Sequence, residues 1–194
     1  MLAIASHFCC TIAMKHFDEF YNLAEGNFGL VTYAQAKSAG IVIQELNRWL
    51  AKGWIERPAR GLYRVSRFPS SECDPYAIAV ESVGRDAYLH GESVLALLHL
   101  VPTNPTWIYV ATPRRVRRKV GDGIVVVKGG SGDKTTNYLG VRSQSLADAL
   151  VACGATVRGD RRIRAAAEGL RQGYLDKGEF ARVTKEVEHA QAPT

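Results

Sequence analysis

The sequence predicts an α+β protein, and three observations carry that reading. Apolar residues recur at helical spacing over residues 16–24, 42–52, 91–100 and 146–153. Short β-branched runs, Trp107–Ala111 and Ile124–Lys128, lie between them. Glycine and proline fall between these stretches, at Gly26, Gly40, Gly53, Gly61 and Pro75, and punctuate them. At 194 residues, 46% hydrophobic and 23% charged, the chain holds enough apolar material for one medium domain or two small ones. Its composition is that of neither a disordered nor a fibrous protein.

Residues 1–14 are set aside as an N-terminal tail. MLAIASHFCCTIA is apolar, but too short to span a bilayer and without the basic n-region of a signal peptide. Residues 15–67 read as one compact unit. HFDEFYNLA places Phe17, Phe20 and Tyr21 at helical spacing and stops at Gly26-Asn27. Thr32 is the expected N-cap of a short helix, YAQAKSA, that Gly40 ends. A second helix runs from Val42 to Lys52, with Gly53 just beyond it. On a helical wheel Val42, Leu46, Trp49 and Leu50 share the buried face, while Gln44, Asn47, Arg48 and Ala51 lie opposite. Trp54–Arg57, the turn Pro58–Gly61 and Leu62–Val65 then read as strand, turn, strand, with apolar/polar alternation in the second arm. Helix, helix, tight turn, helix, hairpin is the order of a winged helix-turn-helix.

Residues 68–75, FPSSECDP, read as a linker to a second region, 75–194. There Pro75 opens a helix, GESVLALLHL is another, and Trp107–Ala111, Ile124–Lys128 and Tyr138–Arg142 are strands. LADALVAC is a helix, and two more follow at about 160–173 and 177–189. The expectation is a small mixed α/β domain with a helical tail.

The charge points to a polyanion. The net charge is +6, and each phosphate that a cation neutralises releases a counterion. The major groove admits one α-helix, and the Val42–Lys52 helix offers suitable groups: Gln44 and Asn47 for adenine, Arg48 for guanine, Lys52 for a phosphate. Thr32, Gln35 and Lys37 of the preceding helix are placed for backbone contacts that fix register. Arg57, Arg60 and Arg64 put three cations on the hairpin. A second basic run, Arg114, Arg115, Arg117, Arg118 and Lys119, reads as extra phosphate contacts or as a dock for an acidic protein. Its bland alternative is a solvated loop paired with nearby carboxylates.

The stretch LVTYAQAKSAGIVIQELNRWLAKGWIERPARGLYRV resembles the N-terminal domain of AbiEi-type antitoxins, the repressor half of type IV toxin–antitoxin systems. Arg60-Gly61-Leu62-Tyr63 is its most specific piece. Leu89–Ser93 and Ile108–Arg115 extend the likeness more weakly, so that it covers about residues 17–150. The resemblance implies a transcriptional autorepressor that binds inverted repeats in its own promoter, a second domain concerned with antitoxicity, a nucleotidyltransferase-like toxin as partner, and a place in phage defence. It implies a cytoplasmic protein, monomeric in solution, cooperative on DNA, with no membrane contact. A ligand- or partner-responsive winged-helix regulator without a toxin is the alternative.

Other readings are weaker. Cys9, Cys10, Cys73 and Cys153 show no zinc spacing and read as free thiols, and no cofactor is expected. Gly121–Gly123 and Gly129–Gly132 lack phosphate-loop spacing and read as hairpin turns. His90, Glu92 and Ser93 do not form a triad, and Glu92 or Ser93 is expected to support a helix N-terminus. His99 reads as a partly buried histidine. Trp49, Trp54, Tyr63 and Trp107 read as packing residues, and the chain is not expected to be an enzyme.

Overall fold

The computed structural model describes residues 15–100, 106–130 and 132–190. The expected tail, with Cys9 and Cys10, lies outside the described residues. The protein is mixed α+β and divides into two compact units, at Ser82/Val83.

In the first unit a helix over 15–25 (α1) precedes β1 (Leu30–Thr32), α2 (Tyr33–Ser38), α3 (Ile43–Ala51) and the hairpin β2 (Ile55–Ala59)–β3 (Leu62–Val65). The sequence reading lacked β1. It is three residues long, and a run that short carries no readable period. It pairs antiparallel with β3, Val31 opposite Tyr63, so that β3 is the central strand of the order β1-β3-β2. The register of β2 against β3 shifts between Glu56 and Ala59, and Pro58 lies in that irregular stretch of an edge strand, where no ladder donor is demanded.

The core gathers Phe20, Ala24, Val31, Ala36, Ile41, Leu46, Trp49, Ile55, Tyr63 and Val65. Trp49 meets Phe17 and Phe20 edge-on, with ring centroids 5.2 and 5.5 Å away, the favoured geometry for aromatic pairs.

A central position buries β3 on both faces, and this overturns the alternation read from the sequence. Arg64 is 7% exposed. Its Nε donates to Phe28 O (3.2 Å), one Nη donates to Pro69 O (3.2 Å) and to Asp74 Oδ2 (2.7 Å), and the other reaches Glu56 Oε1 (3.4 Å). The presumed linker 68–75 is therefore tied to the sheet at Pro69 and Asp74. Helix α4 (Asp74–Val83) begins at that anchored aspartate.

The second unit holds β4 (Tyr88–Leu89), α5 (Glu92–Leu97), β5 (Ile108–Thr112), β6 (Ile124–Lys128), β7 (Thr135–Tyr138), β8 (Val141–Gln144), α6 (Leu146–Ala152), α7 (Gly159–Arg171) and α8 (Lys177–His189). Its sheet runs β6-β5-β4-β8-β7. The predicted strand 138–142 is broken at its middle: Leu139 and Gly140, both at positive φ, form the turn of the β7–β8 hairpin, while Tyr138 ends β7 and Val141 and Arg142 begin β8. Strands β5 and β6 are parallel, so Gly121–Gly123 belongs to a crossover rather than a hairpin. Gly129 and Gly130 do not belong to a hairpin turn either, because β6 and β7 stand at opposite edges of the sheet. A Cβ on Gly129 would stand 2.5 Å from the Tyr88 hydroxyl, which donates to Asp133, while Gly130 N–H donates to the same carboxylate at 2.9 Å.

Ser93 is buried and accepts from Tyr109 N–H (2.7 Å) instead of capping α5, and no side chain caps that helix. His99 is exposed, not partly buried. Trp49 and Tyr63 are core residues, Trp54 packs edge-on against Phe17 (ring centroids 5.0 Å) while staying partly open to solvent, and Trp107 is exposed. Cys73 and Cys153 are free, and burial pushes the Cys153 thiol up to about 12, so it stays protonated and unreactive at neutral pH.

Helices α6, α7 and α8 pack together. Gly169 lets α7 approach Leu146, since a Cβ there would stand 2.6 Å from its Cδ2. Burial alone pushes the Asp148 carboxyl up, but hydrogen bonds from Arg182 (2.9 Å) and Ser145, with the Arg182 charge, hold it below its ordinary range.

Two predictions follow from these ion pairs. Arg64→Ala strands a largely buried Asp74 and is expected to cost about 3–5 kcal/mol in urea unfolding, a loss that a surface arginine does not produce. A depressed folded pKa gives stability that is present above the unfolded carboxylate value and lost as pH falls through the folded one. The stability advantage of the wild type over Asp148→Asn is therefore expected at neutral pH and to shrink as pH drops below about 4. An advantage unchanged down to pH 2 in denaturant titrations contradicts this.

Candidate nucleic-acid interface

The nine residues of α3 set a polar face over a hydrophobic support. Leu46 and Trp49 are buried and Glu45 and Leu50 are partly buried. The opposite face of α3 carries two adjacent rows, Ile43–Asn47–Ala51 and Gln44–Arg48, all exposed. Glu45, the carboxylate of α3, is turned away from those rows. Its side chain accepts from Val42 N–H (3.2 Å) and contacts His16 Nδ1 (2.8 Å). The exposed face of α3 therefore carries no negative charge.

Gly53 ends α3 at φ +68. Lys52 is exposed with its Nζ 4.6 Å above the Trp54 ring. On the hairpin, Arg57 lies with its guanidinium carbon 5.8 Å from the centre of the Tyr63 ring, and Arg60 occupies the turn beside Gly61, whose φ of +76 suits glycine. Both arginines are exposed. Tyr33 N–H donates to Gly61 O (2.8 Å), which pins the start of α2 beside the hairpin turn.

Several predicted contacts have other work. Arg64 is withdrawn from the candidate set, because its guanidinium is buried and bonded as described above. Thr32 and Gln35 form a capping box. Gln35 Oε1 accepts from Thr32 N–H (2.8 Å) and Oγ1–H (2.7 Å), and Thr32 Oγ1 accepts from Gln35 N–H (3.3 Å). The Thr32 hydroxyl is thus committed to the helix, and only the Gln35 amide nitrogen is left to reach outward. Lys37 is exposed in the last turn of α2.

Val42 corrects the helical wheel. It is the N-cap of α3 and 52% exposed, and Ile43 after it is 38% exposed. Extending the wheel one residue past the helix start put Val42 on the buried side, although an N-cap has extended backbone that the wheel does not describe. Tyr33, the first residue of α2, is also exposed.

In the second unit the basic run forms the crossover between β5 and β6. Arg114 Nε pairs with Asp86 (2.7 Å), Lys119 with Asp122 (3.4 Å), and Arg118 donates to Val83 O (3.1 Å). Arg115 and Arg117 are exposed. Trp107, Val116, Arg118, Lys119, Ile124 and Val126 line a shallow groove of about 580 Å³ there.

Residues 21–66 match the family model of a transcriptional regulator, the AbiEi antitoxin. The matched segment starts within α1 and ends just past β3, so it contains α2, α3 and the hairpin that carries Arg57 and Arg60. No curated protein matches the chain. No described helix is long and apolar enough to cross a membrane, and no described group of histidine, cysteine and carboxylate side chains is arranged to hold a metal ion.

Within the matched segment the Thr32 side chain has a structural role as the cap of α2. Thr32→Ala is expected to lower stability by about 1 kcal/mol and Thr32→Ser to keep it. Thermal or urea unfolding of the two variants checks this.

Proposed function

We propose that the protein is a DNA-binding transcriptional autorepressor and antitoxin, with residues 15–67 acting as a winged helix-turn-helix. The observation that carries this reading is the exposed Gln44, Asn47 and Arg48 face of α3 beside an arginine-bearing hairpin, inside the segment that matches an AbiEi antitoxin regulator. In this reading α3 enters the major groove. Gln44 and Asn47 pair with adenine edges and Arg48 with guanine O6 and N7. Lys37, Lys52 and the Gln35 amide meet phosphates, and Arg57 and Arg60 follow the backbone or the minor groove beside the site.

The second unit is proposed to neutralise a nucleotidyltransferase-like toxin. Its exposed Arg115 and Arg117, next to the Trp107 groove, offer a cationic rim and an apolar floor to an acidic partner. Extra phosphate contacts from the same arginines are the competing use.

Fluorescence anisotropy on a duplex from upstream of the protein's own gene tests the DNA role. Binding is expected to weaken steeply with salt. Arg48→Ala is expected to cost about 1–3 kcal/mol and to relax base preference. Arg60→Ala is expected to weaken all sequences alike and to lower the salt slope by about 1. Unaltered affinity and specificity in Arg48→Ala removes it as a base reader. Co-expression with the neighbouring reading frame tests the antitoxin role by growth rescue and co-purification. DNA binding without rescue favours a regulator responsive to another partner.

A further inference from the structure

We infer that Ile43, with Val42 beside it, reads thymine C5-methyl groups, so that the preferred duplex carries thymine at the position facing the start of α3. This rests on the DNA-binding reading and assigns part of its sequence preference.

Among the described residues of the first unit, the exposed large aliphatic side chains are Val42 and Ile43, and they are adjacent. Single exposed apolar residues are ordinary on protein surfaces. This pair is different in two respects. Val42 occupies an N-cap, where a serine, threonine, asparagine or aspartate side chain would accept from the helix, and it makes no side-chain cap hydrogen bond. At 52% exposure it gains little packing in return. The helix start is satisfied without that side chain, since Glu45 N–H donates to Val42 O (3.0 Å) and the Glu45 carboxylate accepts from Val42 N–H (3.2 Å), so neither capping nor packing explains an apolar residue here.

Ile43 belongs to the same row as Asn47, one turn along, and lies beside Gln44 and Arg48 on the exposed face of α3. An apolar side chain grouped with amide and guanidinium side chains matches the mixed chemistry of a major-groove edge. There, the thymine methyl is the apolar feature among hydrogen-bonding atoms. A second copy of this chain is disfavoured as the occupant. A two-fold contact across this face would bring Arg48 and its mate into the same desolvated patch, with no carboxylate on the exposed rows to offset them.

The test selects bound sequences from a randomised duplex pool. The winning duplex is then remade with deoxyuridine replacing each thymidine in turn, which removes one methyl and changes neither pairing nor the protein. Loss of about four-fold in affinity at one or two positions is expected, the ratio that burial of about 0.8 kcal/mol of hydrocarbon gives. In Ile43→Ala the thymine/uracil difference at its position is expected to vanish, and in Ile43→Val to persist. Salt-dependent binding with equal affinity for thymine and uracil duplexes throughout overturns the inference and leaves the DNA reading standing. Absence of salt-dependent binding to any duplex overturns both. A change of oligomeric state in Ile43→Ala, without a thymine/uracil difference in the wild type, overturns the inference in favour of self-association.

Discussion

The first unit depends on where Trp49 goes. With 1% of its surface exposed and its ring edge-on to Phe17 and Phe20, it fixes the rotation of α3 about its own axis. Leu46 is buried beside it. Once those two side chains are inside, the 100° step of the helix leaves no choice for the rest. Ile43, Gln44, Asn47 and Arg48 must face away from the core. Orientation of the polar face is thus a consequence of hydrophobic packing from α1, and no contact of the polar residues themselves is needed to set it. The lone carboxylate of α3 supports the same outcome, because Glu45 is held by Val42 N–H and His16 at the helix start.

Much of this was legible because helices advertise their buried side. The α2 cap at Thr32, the spans of α2 and α3, the Gly53 stop and the hairpin all followed from residue spacing and from the conformations glycine permits. The same logic exposed α6, α7 and α8. What escaped depends on partners distant in sequence. Strand β1 exists because β3 lies alongside it, and the two-residue β4 because β5 and β8 flank it. Arg64 is the sharpest case. The sequence shows an arginine in an alternating strand next to two others, which reads as a basic hairpin. Its burial is decided by β1 on one side and by Asp74 ten residues on, and neither is visible in the local pattern.

Within the candidate interface the readable part was the helix interior and the opaque part its edges. A wheel orders Gln44, Asn47 and Arg48 correctly because they lie inside regular structure. Val42 and Thr32 sit at caps, where one backbone is extended and the side chain answers to the helix end. Thr32 looked like a phosphate contact because threonine hydroxyls commonly are, yet a capping box consumes it first. The glycine-rich stretch at 129–132 is a comparable case in the second unit. Its composition suggests a turn or a ligand loop, while Gly129 answers to the Tyr88 hydroxyl pressed against it.

The Arg64 cluster joins these strands of argument. A charge placed in the central strand of a three-stranded sheet is costly to desolvate and is retained only with partners on several sides. Its partners come from Phe28 ahead of β1, Glu56 on β2, and Pro69 and Asp74 beyond β3. One guanidinium therefore fixes both edges of the sheet and the segment leaving it, and the hairpin that carries Arg57 and Arg60 is braced from its buried end. A free hairpin would present those two cations over many orientations. Bracing at Arg64 and pinning of the turn by Tyr33 N–H leave the exposed arginines their side-chain torsions and little else. In the proposed DNA-binding role, a backbone held at both ends would lower the entropy lost when a polyanion is gripped, and the buried arginine would contribute to recognition without touching a ligand.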